Sequence, residues 1–334
     1  MSITLADIAE KAGVSVAAVS KALSDQSDIA PATRRRIKQL AGEMGYVMNV
    51  AARTLTMKKT MAIGVVLPLA HIPAVTDRLR GIQAEAMERR YLTSVAFHNG
   101  GIDEERKQIE MLYGRVDGFV ITPANQSLEL AKLLKRLDLP VVCMSEPLVK
   151  METDFSGDDD EEGGRLAAAH LLERGRERIA YLGYAEGTPS DQAILKGMRE
   201  VFAGKGLSLD KSWIRWGNAS QAETRANMDA LLAMTPRPDA IMAFSDVTAL
   251  WVLEHLERRK VAVPGEVAVA GYDDTIFAEL GRMPLTSVAQ PNFEIGRQAA
   301  RLLLERLEDE SGAAAAPCRR VVFKPRLAVR MSSG

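Results

Sequence analysis

From Met61 onward the sequence alternates two kinds of segment, and this alternation restricts the available folds more than any other feature. Short apolar runs rich in Val and Ile, such as MAIGVVLPL (61–69), LTSVAF, DGFVIT and PVVCM, read as buried parallel strands. Between them lie longer amphipathic stretches, RLRGIQAEAMERR, ERKQIEMLYGR and AKLLKRLDL, with helical spacing. The pattern resumes after residue 160 with GRLAAAHLLERG, RIAYLG, LKGMREVFAGKG, SWIRWG, RANMDALLAM, DAIMAFS, TALWVLEHLERR and EVAVAGYDD. Such alternation builds parallel sheets covered by helices on both faces. Roughly ten strands of this kind point to two sheets, hence two lobes with a cleft between them. Two stretches suit a crossing between lobes: the polar, Gly-bearing DFSGDDDEEGG (154–164) and PLTSVAQPN (284–292).

The first 60 residues follow another rule. Thr4 can cap a helix, with Asp7 in the capping-box position, and Leu5, Ile8 and Ala9 recur at helical spacing. Gly13 ends that helix, because glycine adopts the left-handed C′ conformation without a Cβ clash. Ser15 caps a second short helix, with Val16 or Val19 turned inward beside Ala22 and Leu23. Pro31 opens a third, running through Arg34, Arg35, Arg36, Ile37, Leu40 and Met44 to a stop at Gly45. Two short helices across a tight Gly turn, locked by a third, predict a helix-turn-helix.

Charge supports that reading. The segment holds nine basic side chains (Lys11, Lys21, Arg34, Arg35, Arg36, Lys38, Arg53, Lys58, Lys59) and five acidic ones (Asp7, Glu10, Asp25, Asp28, Glu43). Its net +4 leaves −5 for the remainder of a chain whose total is −1. A small basic head on a large acidic body is suited to a polyanion. The second helix then leaves one face for a DNA major groove: Val16 and Ala17 for thymine methyls, Ser20 beside them, and Lys21 for guanine O6 and N7. Ser15, Ser20, Ser24, Thr33 and Tyr46 offer hydroxyls to phosphates, and Thr4 and Leu5 complete the DNA-facing set.

TLADIAEKAGVSVAAVSKAL (4–23) resembles the N-terminal signature of the lactose-repressor (LacI) family of bacterial transcription regulators. GYVMNVAARTL (45–55) is similar to that family's hinge helix, GYxPNxxARxL: Asn49, Ala52, Arg53 and Leu55 match, and Met48 replaces the proline. The resemblance implies a segment that orders on operator DNA, pairs with its twin in a dimer and wedges Leu55 into the minor groove. A helix so short is marginal in water alone, and an apolar wedge must offset the cost of unstacking a base step. IGVVLP (63–68), VDGFVIT (116–122), AAHLLERG (168–175), RIAYLG (178–183), FSD (244–246), VAGYDD (269–274) and TSVAQP (286–291) resemble the family's effector-binding core, itself similar to periplasmic sugar-binding proteins. The expected fold is therefore an all-α helix-turn-helix head with a hinge helix, joined to an α/β two-lobed core with parallel sheets. The boundaries expected are 1–48 for the head, 49–59 for the hinge and 60–334 for the core. One lobe is taken as about 60–157 with 289–318, the other as 158–288 with 319–334; the resemblance implies a third crossing near 317–321.

Ligands of open α/β folds sit at the carboxyl ends of strands. That rule selects Leu69, Ala70 and His71 after the first strand, Ser145 and Glu146 after PVVCM, Ser245 and Asp246 after DAIMAF, and Asp273 after EVAVAGY. Gln290 joins them at a crossover, and Asp274 is read as a helix cap. Carboxylates and amides there suit sugar hydroxyls. The resemblance implies effector contacts at Asp273, Ser245, Ser145 and the loop after residue 67. It also implies an Arg three residues before Gly197, where this chain has Ile194. The other departures are Gly175-Arg176 for Gly-His, Asp159-Asp160-Glu161-Glu162-Gly163 for the crossover motif, and LAHIPAV without Asn-Pro-Phe. Loss of that Arg favours a neutral or partly apolar effector over an acid.

Other classes fit less well. There is no GxGxxG after a strand, no Walker loop, no GxSxG and no HxxxH, which counts against the alternative of a metabolite-processing α/β enzyme with an appended nucleic-acid-binding head. His71, His98, His170 and His255 are scattered, and the run Asp158 to Glu162 reads as a solvated crossover loop, so neither metal nor cofactor is expected. Cys143 and Cys318 form no CxxC pair, in keeping with a reducing compartment. Neither a signal-peptide pattern nor a membrane-length apolar run is present, and a cytoplasmic protein, nucleoid-associated when on its operator, is expected. The tail AVRMSSG has no leucine heptads. The partners expected are double-stranded operator DNA, a small-molecule effector and a second copy of the chain as a homodimer, with no membrane.

Overall fold

The computed structural model describes residues 3–23, 28–46, 59–68, 72–124, 126–148, 150–309 and 317–334. The chain divides into two compact units, residues 1–60 and 61–334. In the first, α1 (Leu5–Ala12), α2 (Val16–Leu23) and α3 (Pro31–Glu43) enclose a small core of Ile8, Val19, Ala22 and Ile37. The capping box closes α1 reciprocally: the Asp7 N–H donates to Thr4 Oγ1 at 3.3 Å, and the Thr4 N–H donates to Asp7 Oδ2 at 2.7 Å. Gly13, at φ 66°, ends the helix and frees the chain to turn into α2. Ser15 Oγ accepts from the Ala18 N–H at 3.2 Å and caps α2. Val19, not Val16, is the inward valine.

The second unit carries two six-stranded sheets. The first uses β1 (Ala62–Pro68), β2 (Leu92–His98), β3 (Phe119–Ile121), β4 (Val141–Met144), β5 (Asp154–Asp158) and β11 (Arg320–Phe323), in the order β11-β5-β4-β3-β1-β2. The other uses β6 (Ile179–Gly183), β7 (Ile214–Trp216), β8 (Ala240–Ala243), β9 (Ala268–Asp273), β10 (Thr286–Ala289) and β12 (Arg326–Ala328), ordered β12-β10-β9-β8-β6-β7. All pairings are parallel except β10 with β12. Helices α4 (Pro73–Glu88), α5 (Ile102–Leu112), α6 (Leu128–Leu137) and α12 (Asn292–Glu308) belong to the first lobe. Helices α7 (Asp160–Glu173), α8 (Pro189–Gly204), α9 (Gln221–Leu232), α10 (Asp246–Arg258) and α11 (Ile276–Leu280) belong to the second. No helix of the described residues is long and apolar enough to cross a membrane.

Two expectations need correction. β11 pairs with β5 in register Arg320↔Phe155, so the third crossing falls at Lys324–Pro325 rather than near 317–321, and residues 320–323 belong to the first lobe. The physical reason is packing and charge: Val321 and Phe323 pack against the first lobe's core, and Arg319 and Arg306 clamp buried Asp154 at the head of β5, at 2.8 Å and 2.7 Å. The acidic run Asp158 to Glu162 is not a solvated loop either. Asp158 ends β5, Asp159 caps α7 by accepting from the Glu162 N–H at 3.0 Å, and the remainder forms the first turn of α7, where a helix dipole favours acids.

Each lobe also holds a helix pair in backbone contact. A Cβ on Gly81 of α4 would lie 1.9 Å from the Phe293 carbonyl oxygen of α12, and one on Gly296 of α12 would lie 1.9 Å from that of Arg78. In the second lobe Gly164 and Gly197 let α7 and α8 approach in the same way. Since backbone cannot yield as a side chain can, Gly81→Ala is expected to lower stability by about 1–3 kcal/mol or more. Gly42→Ala, in open space on α3, is expected to leave stability unchanged or slightly higher. Denaturant unfolding of the two variants checks this.

Candidate functional site

Two surfaces carry chemistry, one in each unit. On α2 the burial of Val19 and Ala22 turns the opposite face outward: Val16, Ala17 and Lys21 are exposed and Ser20 is half-buried. Lys21 forms an ion pair with Asp28, itself exposed, so the lysine is held over that face by an acid that a phosphate or base can replace. Around it, Thr4 and Ser15 are exposed, and Leu5, Thr33 and Tyr46 are half-buried. Two arginines of α3 are engaged within the head: half-buried Arg34 donates to the Ile29 carbonyl at 3.1 Å, and Arg36, itself exposed, donates to that of Ala12 at 3.2 Å. Ser24 and the hinge residues Asn49, Ala52, Arg53 and Leu55 lie outside the described residues.

In the second unit a cavity of about 520 Å³ opens where the strand ends of both sheets converge. Ser145, Ile194, Ser245, Asp273 and Gln290, chosen from different segments of sequence, all line it. Leu69, Ala70 and His71 lie outside the described residues. Tyr184 and Phe244 form an aromatic wall, ring centroids 5.7 Å apart, continued by Ile72, Val75 and Ile194. With Ala219 these two second-lobe aromatics pack against the first lobe's core, so the lobes meet at the cavity edge.

The floor is a junction of crossings. Arg78 of α4 donates through Nε to Asn292 at 2.8 Å and through Nη2 to Gln290 Oε1, while Gln290 Nε2 donates to Asp158. One side-chain chain thus ties the end of β5 to the crossover after β10. Asp160 accepts from the Tyr272 hydroxyl at 3.0 Å. Asp191 accepts from Tyr181 at 2.6 Å and Thr188 at 2.7 Å, and from the N–H groups of Tyr184 and Ala185, which fixes the entry to α8. Across the cleft, Glu146 Oε1 accepts from the Ser190 N–H of α8 at 3.3 Å, a direct bond between lobes.

Burial and crowding shift these acids. Asp158 and Asp273 are pushed well above the usual carboxylate range, first by burial and then by neighbouring acids, with Arg78 opposing. Glu146 is raised to about 8, chiefly by burial. Asp246 does not face a ligand. It accepts from Ser287 at 2.6 Å and from Thr275 at 2.6 Å and 2.9 Å, bracing the start of α10 against the end of β9, and burial raises it to about 6. Asp274 is not a cap; Thr275 takes that position, and Asp274 pairs with Arg330 at 2.7 Å.

Sequence reasoning missed several lining residues. Asp158, Asp160 and Tyr184 sit at strand ends and obey the rule used for the others, but an acidic run and an apolar strand hid them. Arg78 lies in mid-helix, and nothing in its spacing marks it. Among the described residues no group of three or more His, Cys, Asp or Glu is placed to hold a metal ion.

A helix-turn-helix head followed by a two-lobed core of this topology defines a DNA-binding regulator class. Residues 4–49 match the model described as bacterial regulatory proteins of the lacI family, and residues 168–333 match a periplasmic binding protein-like domain. The chain is 32% identical to the HTH-type transcriptional repressor PurR of Vibrio parahaemolyticus over 92% of each chain, and 32% identical to the HTH-type transcriptional regulator CelR of Thermobifida fusca over 98% of each. The structure of a CelR–cellobiose complex superposes at a TM-score of 0.74, with 30% identity and 99% of each chain covered. The lac repressor dimer bound to operator shares the fold, at a TM-score of 0.87 and 22% identity over 100% of this chain and 99% of that one. The chain belongs to the lacI family and is a transcriptional regulator, not an enzyme.

The Glu146 shift sets a pH dependence. Its folded value, about 8, lies above the value near 4.5 of a free side chain, so its contribution is fully present below the latter and is lost as pH rises through the former. Thermal denaturation of Glu146→Gln across this window is expected to show a melting temperature falling less with pH than in the parent protein. An unchanged slope would contradict the burial of this carboxyl.

Proposed function

We propose that the protein is a homodimeric repressor that binds a near-palindromic operator and releases or tightens it in response to a sugar-class metabolite held between the lobes. The observation that carries this reading is α2: eight residues long, anchored by Val19 and Ala22, with Val16, Ala17 and Lys21 left to solvent. Such a helix presents small and cationic groups that complement thymine methyls and guanine edges. Ser15, Ser20, Ser24, Thr33 and Tyr46 serve the phosphates, with Thr4 and Leu5 alongside. Asn49, Ala52 and Arg53 contribute from the hinge, and Leu55 wedges a base step in the minor groove.

A twofold operator asks for a twofold protein. Exposed apolar side chains supply candidate faces: Leu92 and Phe97 on edge strand β2 with Met111 and Tyr113 beside them, and Ile276, Phe277 and Leu280 on α11. The dimeric lac repressor supports this assembly.

The effector reading rests on the cavity and on the CelR relative, whose structure was solved with cellobiose. Ser145, Ser245, Asp273 and Gln290 supply the polar contacts and Ile194 an apolar one, with Leu69, Ala70 and His71, next in sequence after β1, as further contacts. Effector binding shifts the lobes against each other, changes how the first lobes of the dimer face, and orders or melts the hinge. The protein works in the cytoplasm.

Selection of bound duplexes from a random pool, followed by footprinting, tests the reading. A near-palindromic consensus with two protected half-sites is expected, and retention no better than random competitor at moderate salt would overturn it. Lys21→Ala is expected to relax preference at one base pair per half-site by about 1–3 kcal/mol. Equal preferences in parent and variant would show that another side chain reads that position.

A further inference from the structure

We infer that the ligand of the inter-lobe cavity carries a positive charge, an ammonium or guanidinium group, seated on the carboxylates of Asp273 and Glu146. The inference rests on the effector reading above and narrows it.

The wall is unbalanced. Among the described lining residues there are six carboxyl groups and a single guanidinium, that of Arg78. Arg78 is engaged with Gln290 and Asn292. Asp158, Asp160 and Asp191 have the internal partners described above, so their acidity is answered by the fold. Asp273 is different. It is only 8% exposed, it lines the cavity, and among the described residues nothing donates a hydrogen bond to its carboxylate; Asn292 donates to its backbone carbonyl instead. Glu146 uses one oxygen on Ser190, and its buried Oε2 has no partner. The buried hydroxyl of neighbouring Ser145 has none either.

Orphaned buried acceptors are costly, so they are kept where a donor arrives from outside. Two of these residues are also strained. Ser145 has φ 64° and Asp273 φ 103°, backbone that non-glycine residues adopt only when the surrounding structure imposes it. Both strained positions sit at strand ends facing the same cavity. The missing groups are donors, and among the described lining residues carboxyl groups outnumber the one guanidinium, which is engaged. A cation favours the ionised form of these carboxyls and pairs with it, whereas an anionic ligand opposes their ionisation and a neutral one does not promote it. The aromatic pair Tyr184 and Phe244 gives the body of the ligand a surface to lie on and is compatible with a nearby cation.

Burial raises Glu146 to about 8 and pushes Asp158 and Asp273 well above the usual carboxylate range, so each holds its proton more tightly than a free side chain does. Asp160, Glu186, Asp191 and Arg78 face the same space, with Tyr184 and Tyr272 from the second lobe. A cation entering displaces such protons into solvent, where a neutral ligand does not.

The test uses the full-length protein and matched probes: the β-1,4 disaccharide of glucosamine, cellobiose, and cellobiouronate, with glucosamine and 1,3-diaminopropane as smaller amines. At a pH of about 6.5 the amines are protonated. Thermal shift and calorimetry are expected to show at least one amine binding about tenfold or more tighter than its neutral counterpart, with no shift from the acid. Heats measured in buffers of different ionisation enthalpy are expected to report proton release for the amine alone. Asp273→Asn is expected to erase the preference for the amine. Neutral or acidic probes binding as well as the amines, or no amine binding, overturns the inference. Duplex selection without ligand is read separately, so that result leaves the regulator reading intact, and failure of selection is distinguished from it.

Discussion

The receptor unit depends on one side-chain chain: Arg78 to Asn292 and Gln290, and Gln290 on to Asp158. Each lobe has its own apolar cores, which meet across the lobes only where Ala219, Tyr184 and Phe244 pack against the first lobe. Apart from that contact, the angle between the lobes is set by the crossings and the groups lining the cleft. The chain of amide, guanidinium and carboxyl lies where two crossings leave their sheets, on the floor of the cavity. A ligand there touches the same groups that set the lobe angle, which makes the cavity a place where binding free energy can become motion. Glu146 on Ser190 and the Tyr184–Phe244 pair add contacts at the cavity edge that a change of angle must break or remake.

The rest of the core is built so that those crossings stay put. Paired glycines let α4 meet α12 and α7 meet α8 backbone to backbone, and each pair brings a crossover segment against its own lobe. Asp154, clamped by Arg306 and Arg319, fastens the returning strand β11 to β5 before the chain leaves for β12. The cavity is the exception to this satisfaction of polar groups. There the fold leaves a hydroxyl and carboxyl oxygens without partners and holds two residues in left-handed backbone. Local rules fail at a place where function needs them to.

Much of this was legible in the sequence for physical reasons. Strand and helix alternation needs only periodicity, and the capping box at Thr4–Asp7 and the turn at Gly13 are local signals with local causes. The strand-end rule found Ser145, Ser245 and Asp273 as lining residues although they are far apart in sequence; Gln290 came from its place at a crossover and Ile194 from the family resemblance. What escaped depends on tertiary context. Arg78 resembles any surface arginine of a helix until Gln290 and Asn292 are brought beside it. The acidic run read as a loop because polarity is ambiguous between loop, strand end and helix first turn. Residues 320–323 were assigned to the wrong lobe because the third crossing was placed by resemblance alone, and the pairing of β11 with β5 is a contact between segments far apart in sequence.

Reciprocity gives the sharpest examination of the whole account. If cavity and DNA-binding head are linked, the factor by which a ligand changes affinity for the selected duplex must equal the factor by which that duplex changes affinity for the ligand, with a coupling of about 1–3 kcal/mol. Calorimetric titration of ligand into free and duplex-saturated protein measures the second factor, and duplex titration with and without ligand measures the first. Equal factors different from one are the expected result. A ligand that fills the cavity with the same affinity whether or not the duplex is bound would contradict the account.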